Sequence, residues 1–197
     1  MDCTIGIVGQ GFVGSAIREG LSGFYEIATY DLRQELRNCD SLCELVCRSD
    51  FIFVCLPTPM REDGSCHIGI LENVVKDISE ICESNGFTNR IVIVKSTVPP
   101  GTTSMLENKC ENITVVFSPE FLTEANSFDD FKNQSRIIVG GPRPASSKVK
   151  TMFRKAFPTI PIIKTGTKTA EMVKYFTNCF LATKVTFANQ MFQICLD

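Results

Sequence analysis

Three glycines near the N-terminus, Gly9, Gly11 and Gly14, have the G-x-G-x-x-G spacing. Between a strand and a helix, such glycines allow a tight turn, the approach of a diphosphate to the backbone, and close packing of the helix on the strand. An apolar run that ends at Val8 is typical of a buried strand, and a helix is predicted to begin near Gly11. The free N–H groups of that helix would point at the diphosphate. The pattern predicts a dinucleotide-binding turn formed by Gly9, Gln10, Gly11, Phe12, Val13 and Gly14.

An acidic residue, Asp31, follows the second predicted strand, Glu26 to Tyr30. It lies about 20 residues after the glycines, where an acid accepts hydrogen bonds from the ribose hydroxyls and repels a 2′-phosphate. This position favours NAD over NADP, although Arg33 is near enough to weaken the preference. The competing interpretation is a glycine-rich turn in another kind of α/β protein.

The composition is that of an ordinary folded protein, since 44% of the 197 residues are hydrophobic and 21% are charged. A net charge of −2 argues against nucleic acid and anionic membranes as partners. No apolar run approaches the roughly 18 residues of a membrane span. The N-terminus lacks the basic segment and cleavage site of a signal peptide. We therefore expect a cytoplasmic protein with no membrane partner.

The ten cysteines are scattered, and only Cys39, Cys43 and Cys47 have the spacing that would place three sulfurs on one helix face. No fourth ligand is evident for a metal, and His67 is the single histidine. We therefore predict buried or half-buried thiols and no metal site. Thiols stay reduced in the cytosol, where most nucleotide-binding α/β proteins are found.

Short apolar runs alternate with amphipathic stretches after the glycine turn, and the last such run is 160–163. Continuous apolar runs such as 51–56 suit strands that are covered on both faces of a parallel sheet. The alternation predicts an α/β fold over residues 1–166, with a Rossmann-type, doubly wound and mostly parallel sheet. Ligands bind at the carboxyl ends of strands in such sheets. Four loops follow such ends: Gly9–Gly14, Leu56–Pro59, Ser96–Gly101 and Ser118–Glu124.

Residues 167–197 are predicted to form one long helix after the sheet domain. Apolar residues occupy most of its faces, and too little chain remains to cover them. We therefore expect a partner subunit, most simply in a homodimer, or further sequence to cover this helix. The polar exceptions Lys174, Asn178 and Asn189 share one face. Their spacing is equally consistent with a solvent-exposed stripe.

Five motifs follow one another between residues 4 and 190. They are Gly9-Gln10-Gly11-Phe12-Val13-Gly14, Leu56-Pro57-Thr58-Pro59, Lys95-Ser96-Thr97-Val98-Pro99-Pro100-Gly101-Thr102, Ser118-Pro119-Glu120-Phe121-Leu122 with Glu124, and Lys174-x-x-x-Asn178. In type and order they resemble those of the UDP-glucose/GDP-mannose dehydrogenase family. The resemblance implies that two NAD oxidise the C6 alcohol of a nucleotide sugar to a carboxylate. UDP-glucose is the favoured substrate, with GDP-mannose and N-acetyl sugars as close alternatives.

The resemblance also implies roles for individual residues. Lys174 would supply positive charge for the oxyanions at C6, and Asn178 would orient the same oxygen or a water. Thr97 would hold a water near the reacting carbon, Glu120 would act as general acid and base in thioester hydrolysis, and Glu124 would lie between cofactor and substrate. The implied cofactor-binding residues, besides the glycine turn, are Asp31, Leu56, Pro57, Thr58, Ser96, Thr97 and Glu124. The implied substrate-binding residues are Glu120, Phe121, Leu122, Glu124, Lys174 and Asn178. Without the resemblance, the two glutamates would be interpreted as surface acids and Thr97 as a turn hydroxyl.

One feature of the family has no counterpart in these 197 residues. Its nucleophilic cysteine lies in a glycine-rich Cys-x-x-Lys-Asp context beyond the central helix, before a second nucleotide-binding domain. None of the ten cysteines has that context, and Cys195 lies within the apolar helix. We therefore expect the chain to bind NAD without completing the four-electron oxidation.

Two alternatives remain open from the sequence. A β-hydroxyacid dehydrogenase, of the 6-phosphogluconate or 3-hydroxyisobutyrate type, would oxidise its substrate once and needs no thiol. That class does not share the motifs at 97–101 and 118–122. The second alternative is a non-catalytic NAD-binding module.

Overall fold

A seven-stranded sheet forms the centre of the protein in a computed structural model that describes residues 3–88 and 90–196. The strands are β1 (Thr4–Val8), β2 (Glu26–Tyr30), β3 (Phe51–Val54), β4 (Arg90–Val94), β5 (Ile113–Phe117), β6 (Ile137–Gly140) and β7 (Ile162–Thr165). Their order across the sheet is β2-β1-β3-β4-β5-β6-β7. The first five strands are parallel, which confirms the predicted Rossmann-type fold.

Helices connect the strands on both sides of the sheet. The α-helices are α1 (Phe12–Leu21), α2 (Leu42–Arg48), α3 (Gly69–Ser84), α4 (Thr102–Asn108), α5 (Ser127–Lys132), α6 (Ala145–Ala156) and α7 (Thr167–Leu196). α1, α3 and α6 are amphipathic, and each buries one apolar face. The sequence pattern does not predict α5, because it is short and four of its six residues are polar or charged. Within the described ranges, no helix has the length and apolar character needed to cross a bilayer.

Two apolar clusters make up the core. Successive residues of one strand point to opposite faces, so Ile52 and Val54 of β3 belong to one cluster and Phe53 to the other. On that second face the ring of Phe53 packs edge-on against Phe153 of α6, with the ring centroids 5.9 Å apart. Burial on both faces explains why the central strands are continuous apolar runs in the sequence.

The last two strands run in the opposite direction to the first five. β6 meets β5 antiparallel, with Phe117 opposite Gly140, and β7 is parallel to β6. The prediction of the last strand at 160–163 is two residues too early, because Pro161 has no N–H to donate to a neighbouring strand. The carboxyl ends of β1, β3, β4 and β5 thus lie at one edge of the sheet. The four loops selected from the sequence follow these ends.

The long helix α7 is packed only at its beginning. Ala170 lies against Gly140 so closely that a Cβ atom on that glycine would be 2.6 Å from the Ala170 Cβ. Glu171 and Lys174 are buried, whereas every residue from Asn178 to Leu196 is exposed. Lys174 therefore does not belong to a solvent-exposed stripe with Asn178 and Asn189. Homodimer formation through this helix stays a prediction.

Candidate functional site

The glycine turn leaves bare backbone at the start of α1. Gly9 has φ +89°, and a Cβ atom there would collide with the Cys55 carbonyl oxygen. A Cβ atom on Gly14 would collide with the Gly9 carbonyl oxygen. Gly11 differs, because a Cβ atom there would meet nothing within 4 Å. The space in front of Gly11 is therefore open, and the N–H groups of the first turn of α1 face it, as binding of a diphosphate requires.

Asp31 lies at the end of β2, beside this turn. Its Oδ2 accepts a hydrogen bond from the Gln10 N–H (2.7 Å), and its Oδ1 accepts from the Arg33 N–H (2.9 Å) and Nε (3.2 Å). Burial alone would raise the pKa of Asp31, but the hydrogen bonds from Arg33 and Gln10 and the Arg33 charge outweigh it and lower that pKa. The carboxyl is therefore ionised at neutral pH and can accept hydrogen bonds from ribose hydroxyls.

A cleft of about 780 Å³ extends from Asp31 along the sheet edge to Glu120 and Glu124. Its volume lies in the usual range of sites for small molecules and cofactors. The cleft brings together most residues of the expected cofactor site, namely Gly9, Gly11, Phe12, Val13, Asp31, Leu56, Pro57, Thr58, Ser96, Thr97 and Glu124. Gln10 is buried behind the turn, where its backbone holds Asp31. A cleft lined by an open glycine turn and an ionised acid fits NAD.

Two side-chain hydroxyls fix the loops after β3 and β4 against each other. The Ser96 Oγ donates to the Leu56 carbonyl oxygen (2.7 Å) and accepts from the Leu56 N–H (3.0 Å). The Thr58 Oγ1 donates to the Thr97 carbonyl oxygen (2.7 Å). Thr97 is therefore held by its backbone in the wall of the cleft.

Glu120 and Lys174 form a buried ion pair, although they are 54 residues apart. The Lys174 Nζ donates to the Glu120 Oε1 (2.8 Å) and to the Glu120 carbonyl oxygen (2.7 Å). The Glu120 Oε2 accepts from the Leu122 N–H (2.7 Å). The side chains of Lys174 and Glu120 are only 6% and 13% exposed. Two residues of the expected catalytic set thus meet in this ion pair, of which Glu120 lines the cleft.

The remaining residues of the expected substrate site have different positions. The ring of Phe121 lies 5.6 Å from the Lys174 Nζ, on one side of the ion pair. Asn178 is exposed one turn further along α7, and it does not line the cleft. Its role stays a prediction.

Glu171 is a further residue that helps to position the site, and the sequence pattern does not indicate it. It is fully buried on α7, and its carboxylate accepts hydrogen bonds from the Thr103 N–H (2.7 Å), the Thr103 Oγ1 (2.6 Å) and the Gly101 N–H (2.5 Å). These N–H groups lie at the beginning of α4, where a negative charge is favourable. Glu171 therefore fastens the loop that carries Thr97 to the helix that carries Lys174. The available signal was an acid three residues before the lysine, on the same helix face.

We expect Glu171→Ala to lower the free energy of unfolding by about 3 kcal/mol, because it leaves buried donors without an acceptor. Urea unfolding of the chain measures the change. The matched control is Glu83→Ala, which removes an exposed glutamate near the end of α3 and should change the value little. A loss no larger than that of the control would contradict the anchoring role of Glu171.

Among the described residues, Cys55 is the cysteine that lines the cleft. Burial raises its pKa to about 12, and the nearby Lys95 opposes this effect only in part. The thiol is therefore protonated at neutral pH and is a poor nucleophile. Cys39, Cys43 and Cys47 are buried, exposed and half-buried respectively, and the described residues contain no cluster of three metal-ligating side chains.

Two family models match the chain. Residues 22–157 match the NAD binding domain of the UDP-glucose/GDP-mannose dehydrogenase family, and residues 168–197 match the central domain of the same family. The UDP-glucose 6-dehydrogenase TuaD of Bacillus subtilis is 30% identical over 193 residues, which cover 91% of this chain and 41% of that protein. The UDP-glucose 6-dehydrogenase of Rhizobium meliloti is 32% identical over 198 residues, covering 92% of this chain and 44% of that protein. The chain therefore spans less than half the length of these relatives.

Solved structures show the same fold. A UDP-glucose dehydrogenase from Pyrobaculum islandicum matches 97% of this chain and 52% of its own chain, with a TM-score of 0.85 at 24% identity. A ternary complex of GDP-mannose dehydrogenase from Pseudomonas aeruginosa matches 94% of this chain and 51% of its own chain, with a TM-score of 0.79 at 23% identity.

Proposed function

Because the chain belongs to the UDP-glucose/GDP-mannose dehydrogenase family and contains its NAD-binding domain, we propose that it serves the oxidation of a nucleotide sugar. The C6 alcohol is converted to a carboxylate, and UDP-glucose is the favoured substrate. The observation that supports the proposal is a cleft that reaches from the glycine turn and Asp31 to Glu120, which is ion-paired with Lys174 of α7.

NAD would be the hydride acceptor, and residues of this chain would hold it along the cleft. Asp31 would accept hydrogen bonds from the ribose hydroxyls, and the backbone at Gly11 would bind the diphosphate. The segments Leu56–Thr58 and Ser96–Thr97 line the cleft beyond the turn. Glu124 also lines it and would lie between cofactor and substrate. In the same proposal, the domain boundary lies after residue 166. The NAD-binding sheet domain ends there, and α7 begins a second unit that brings Lys174 to it.

Lys174 stabilises the negative charge that develops on the C6 oxygen. In the ion pair its ammonium is directed at Glu120, so it must exchange the Glu120 Oε1 for the substrate oxygen. Asn178 orients the same oxygen or a water, and Thr97 holds a water near the reacting carbon. Glu120 then acts as general acid and base when water releases the product. Phe121 and Leu122 complete the substrate side of this site.

The second oxidation requires a cysteine that binds the aldehyde as a thiohemiacetal and then carries the acyl group as a thioester. The protonated thiol of Cys55 does not suit that role. We therefore propose that residues 1–197 bind NAD but do not complete the reaction without a cysteine from outside this segment. The exposed apolar residues of α7 cover each other in a homodimer.

The stoichiometry of NADH tests this function. In the full-length protein we expect two NADH for each UDP-glucose consumed, whereas residues 1–197 alone should bind NAD by calorimetry and produce none. Absorbance at the NADH band measures the yield, and GDP-mannose and UDP-N-acetyl sugars serve as substrate controls.

A yield of one NADH would favour the β-hydroxyacid dehydrogenase type of reaction. Production of NADH from a nucleotide sugar by residues 1–197 alone would contradict the requirement for a further cysteine. Binding of NAD without turnover of any nucleotide sugar by the full-length protein would favour a non-catalytic module.

A further inference from the structure

Lys95 is buried in the wall of the cleft, and the proposed reaction assigns no role to it. It follows β4 directly, is only 4% exposed, and donates from Nζ to the Pro119 carbonyl oxygen at 3.2 Å. Burial lowers its pKa to about 8, Glu120 and Cys55 raise it, and Lys174 lowers it further. These three groups face Lys95 from the β5 loop, the end of β3 and α7.

The partner of this ammonium group is unusual for a structural lysine. Removing an ammonium from water is unfavourable, and the cost is usually offset by a carboxylate in direct contact. The hydrogen-bond partner of Lys95 is instead a neutral carbonyl, and the carboxylate of Glu120 is bonded to Lys174. An apolar side chain would fill the same space at lower cost. A buried charge of this kind in a cleft is typical of a functional position.

Lys95 and Lys174 belong to different elements of the fold, and they bind the carbonyl groups of two consecutive residues. The Lys95 Nζ, directly after β4, donates to the Pro119 carbonyl oxygen, and the Lys174 Nζ, from α7, donates to the Glu120 carbonyl oxygen. The loop that carries Glu120 is therefore fixed from two sides, and two positive charges lie near one carboxylate. When Lys174 turns to the substrate oxygen, Lys95 remains as a positive charge near Glu120.

We infer that Lys95 is a positioning residue for Glu120, which holds the Pro119–Glu120 backbone in place and balances the Glu120 charge while Lys174 binds the reacting oxygen. The inference rests on the proposed function, since it gives Glu120 its task in thioester hydrolysis. Lys95 itself touches neither cofactor nor substrate in this role. Its loss should therefore slow the step that needs Glu120 and leave the hydride transfers nearly unchanged.

The test uses Lys95→Met in the full-length protein, a change that removes the charge and keeps a long side chain. After rapid mixing with NAD and UDP-glucose, we expect a burst of two NADH per site at the wild-type rate, followed by steady turnover reduced about 100-fold. KM for NAD should stay within about threefold, because the glycine turn is not altered. The matched control is Lys76→Met, which removes a lysine that is 71% exposed on α3 and should behave as wild type.

A double-mutant cycle with Glu120→Gln shows whether Lys95 acts through Glu120. If it does, Lys95→Met changes the steady rate less than about threefold in the Glu120→Gln background. The inference is overturned if Lys95→Met keeps wild-type turnover, if it slows the burst as much as the steady rate, or if its effect is the same in both backgrounds. Absence of nucleotide-sugar-dependent NADH in the wild type would instead overturn the proposed function, and calorimetry of NAD binding to residues 1–197 separates that case from misfolding.

Discussion

Gly11→Ala is expected to weaken NAD binding about 100-fold, or about 3 kcal/mol, without harming the fold. The backbone at Gly11 is in a conformation that alanine adopts readily, with φ −72° and ψ −163°. A methyl group there would meet nothing within 4 Å in the protein, so it would project into the open space where we propose that the diphosphate contacts the backbone. Calorimetry gives the dissociation constant, and thermal unfolding reports on the fold.

Two further glycines provide the controls for this experiment. Gly23→Ala also adds a methyl group with nothing within 4 Å, but away from the cleft, and should leave NAD binding unchanged. Gly14→Ala should damage the fold itself, because its Cβ atom would collide with the Gly9 carbonyl oxygen. Wild-type affinity in the Gly11→Ala variant would show that the diphosphate does not contact this turn.

Lys174→Met is expected to lower both stability and turnover. In the isolated chain it leaves the Glu120 carboxylate buried without its ion-pair partner, which should cost about 3 kcal/mol of the free energy of unfolding. In the full-length protein, loss of the charge that we propose stabilises the C6 oxyanion should lower kcat about 1000-fold. Urea unfolding and NADH production measure the two effects.

The double variant Lys174→Met/Glu120→Gln separates the two causes. Without either charge, part of the stability should return, whereas turnover should stay low because the oxyanion still lacks its lysine. Lys148→Met, at an exposed position of α6, is the control and should change neither quantity. Wild-type turnover in Lys174→Met would remove this lysine from the proposed mechanism.

The glycine turn and Asp31 could be predicted from the sequence because their geometry is local. A strand, three spaced glycines and a helix determine one another within a short segment, and the parallel sheet places the second strand end beside them. The direction of β6 and β7 could not be predicted in this way, because a buried strand has the same apolar pattern whichever way it runs.

The ion pair between Glu120 and Lys174 depends on the packing of α7 and could not be derived from local patterns. Only the resemblance to a known family pointed to both residues. Lys95 and Glu171 were missed for a related reason, since a charged residue beside an apolar run usually marks the exposed end of an element. Both are buried here because α7 and the loop after β5 cover the ends of the strands.

The first turns of α7 are tied at two points, by Glu171 to α4 and by Lys174 to Glu120, whereas its last five turns extend away from the sheet. At 1.5 Å per residue, Leu196 lies about 33 Å along the axis from Lys174, so a tilt of about 2° displaces that end by about 1 Å. The helix thus has a short packed segment, which reaches the cleft residue Glu120 through Lys174, and a long exposed segment. If α7 forms the proposed homodimer, the partner subunit would set the angle at which the Lys174 ammonium group meets its proposed target, and subunit association would then affect the rate of the reaction.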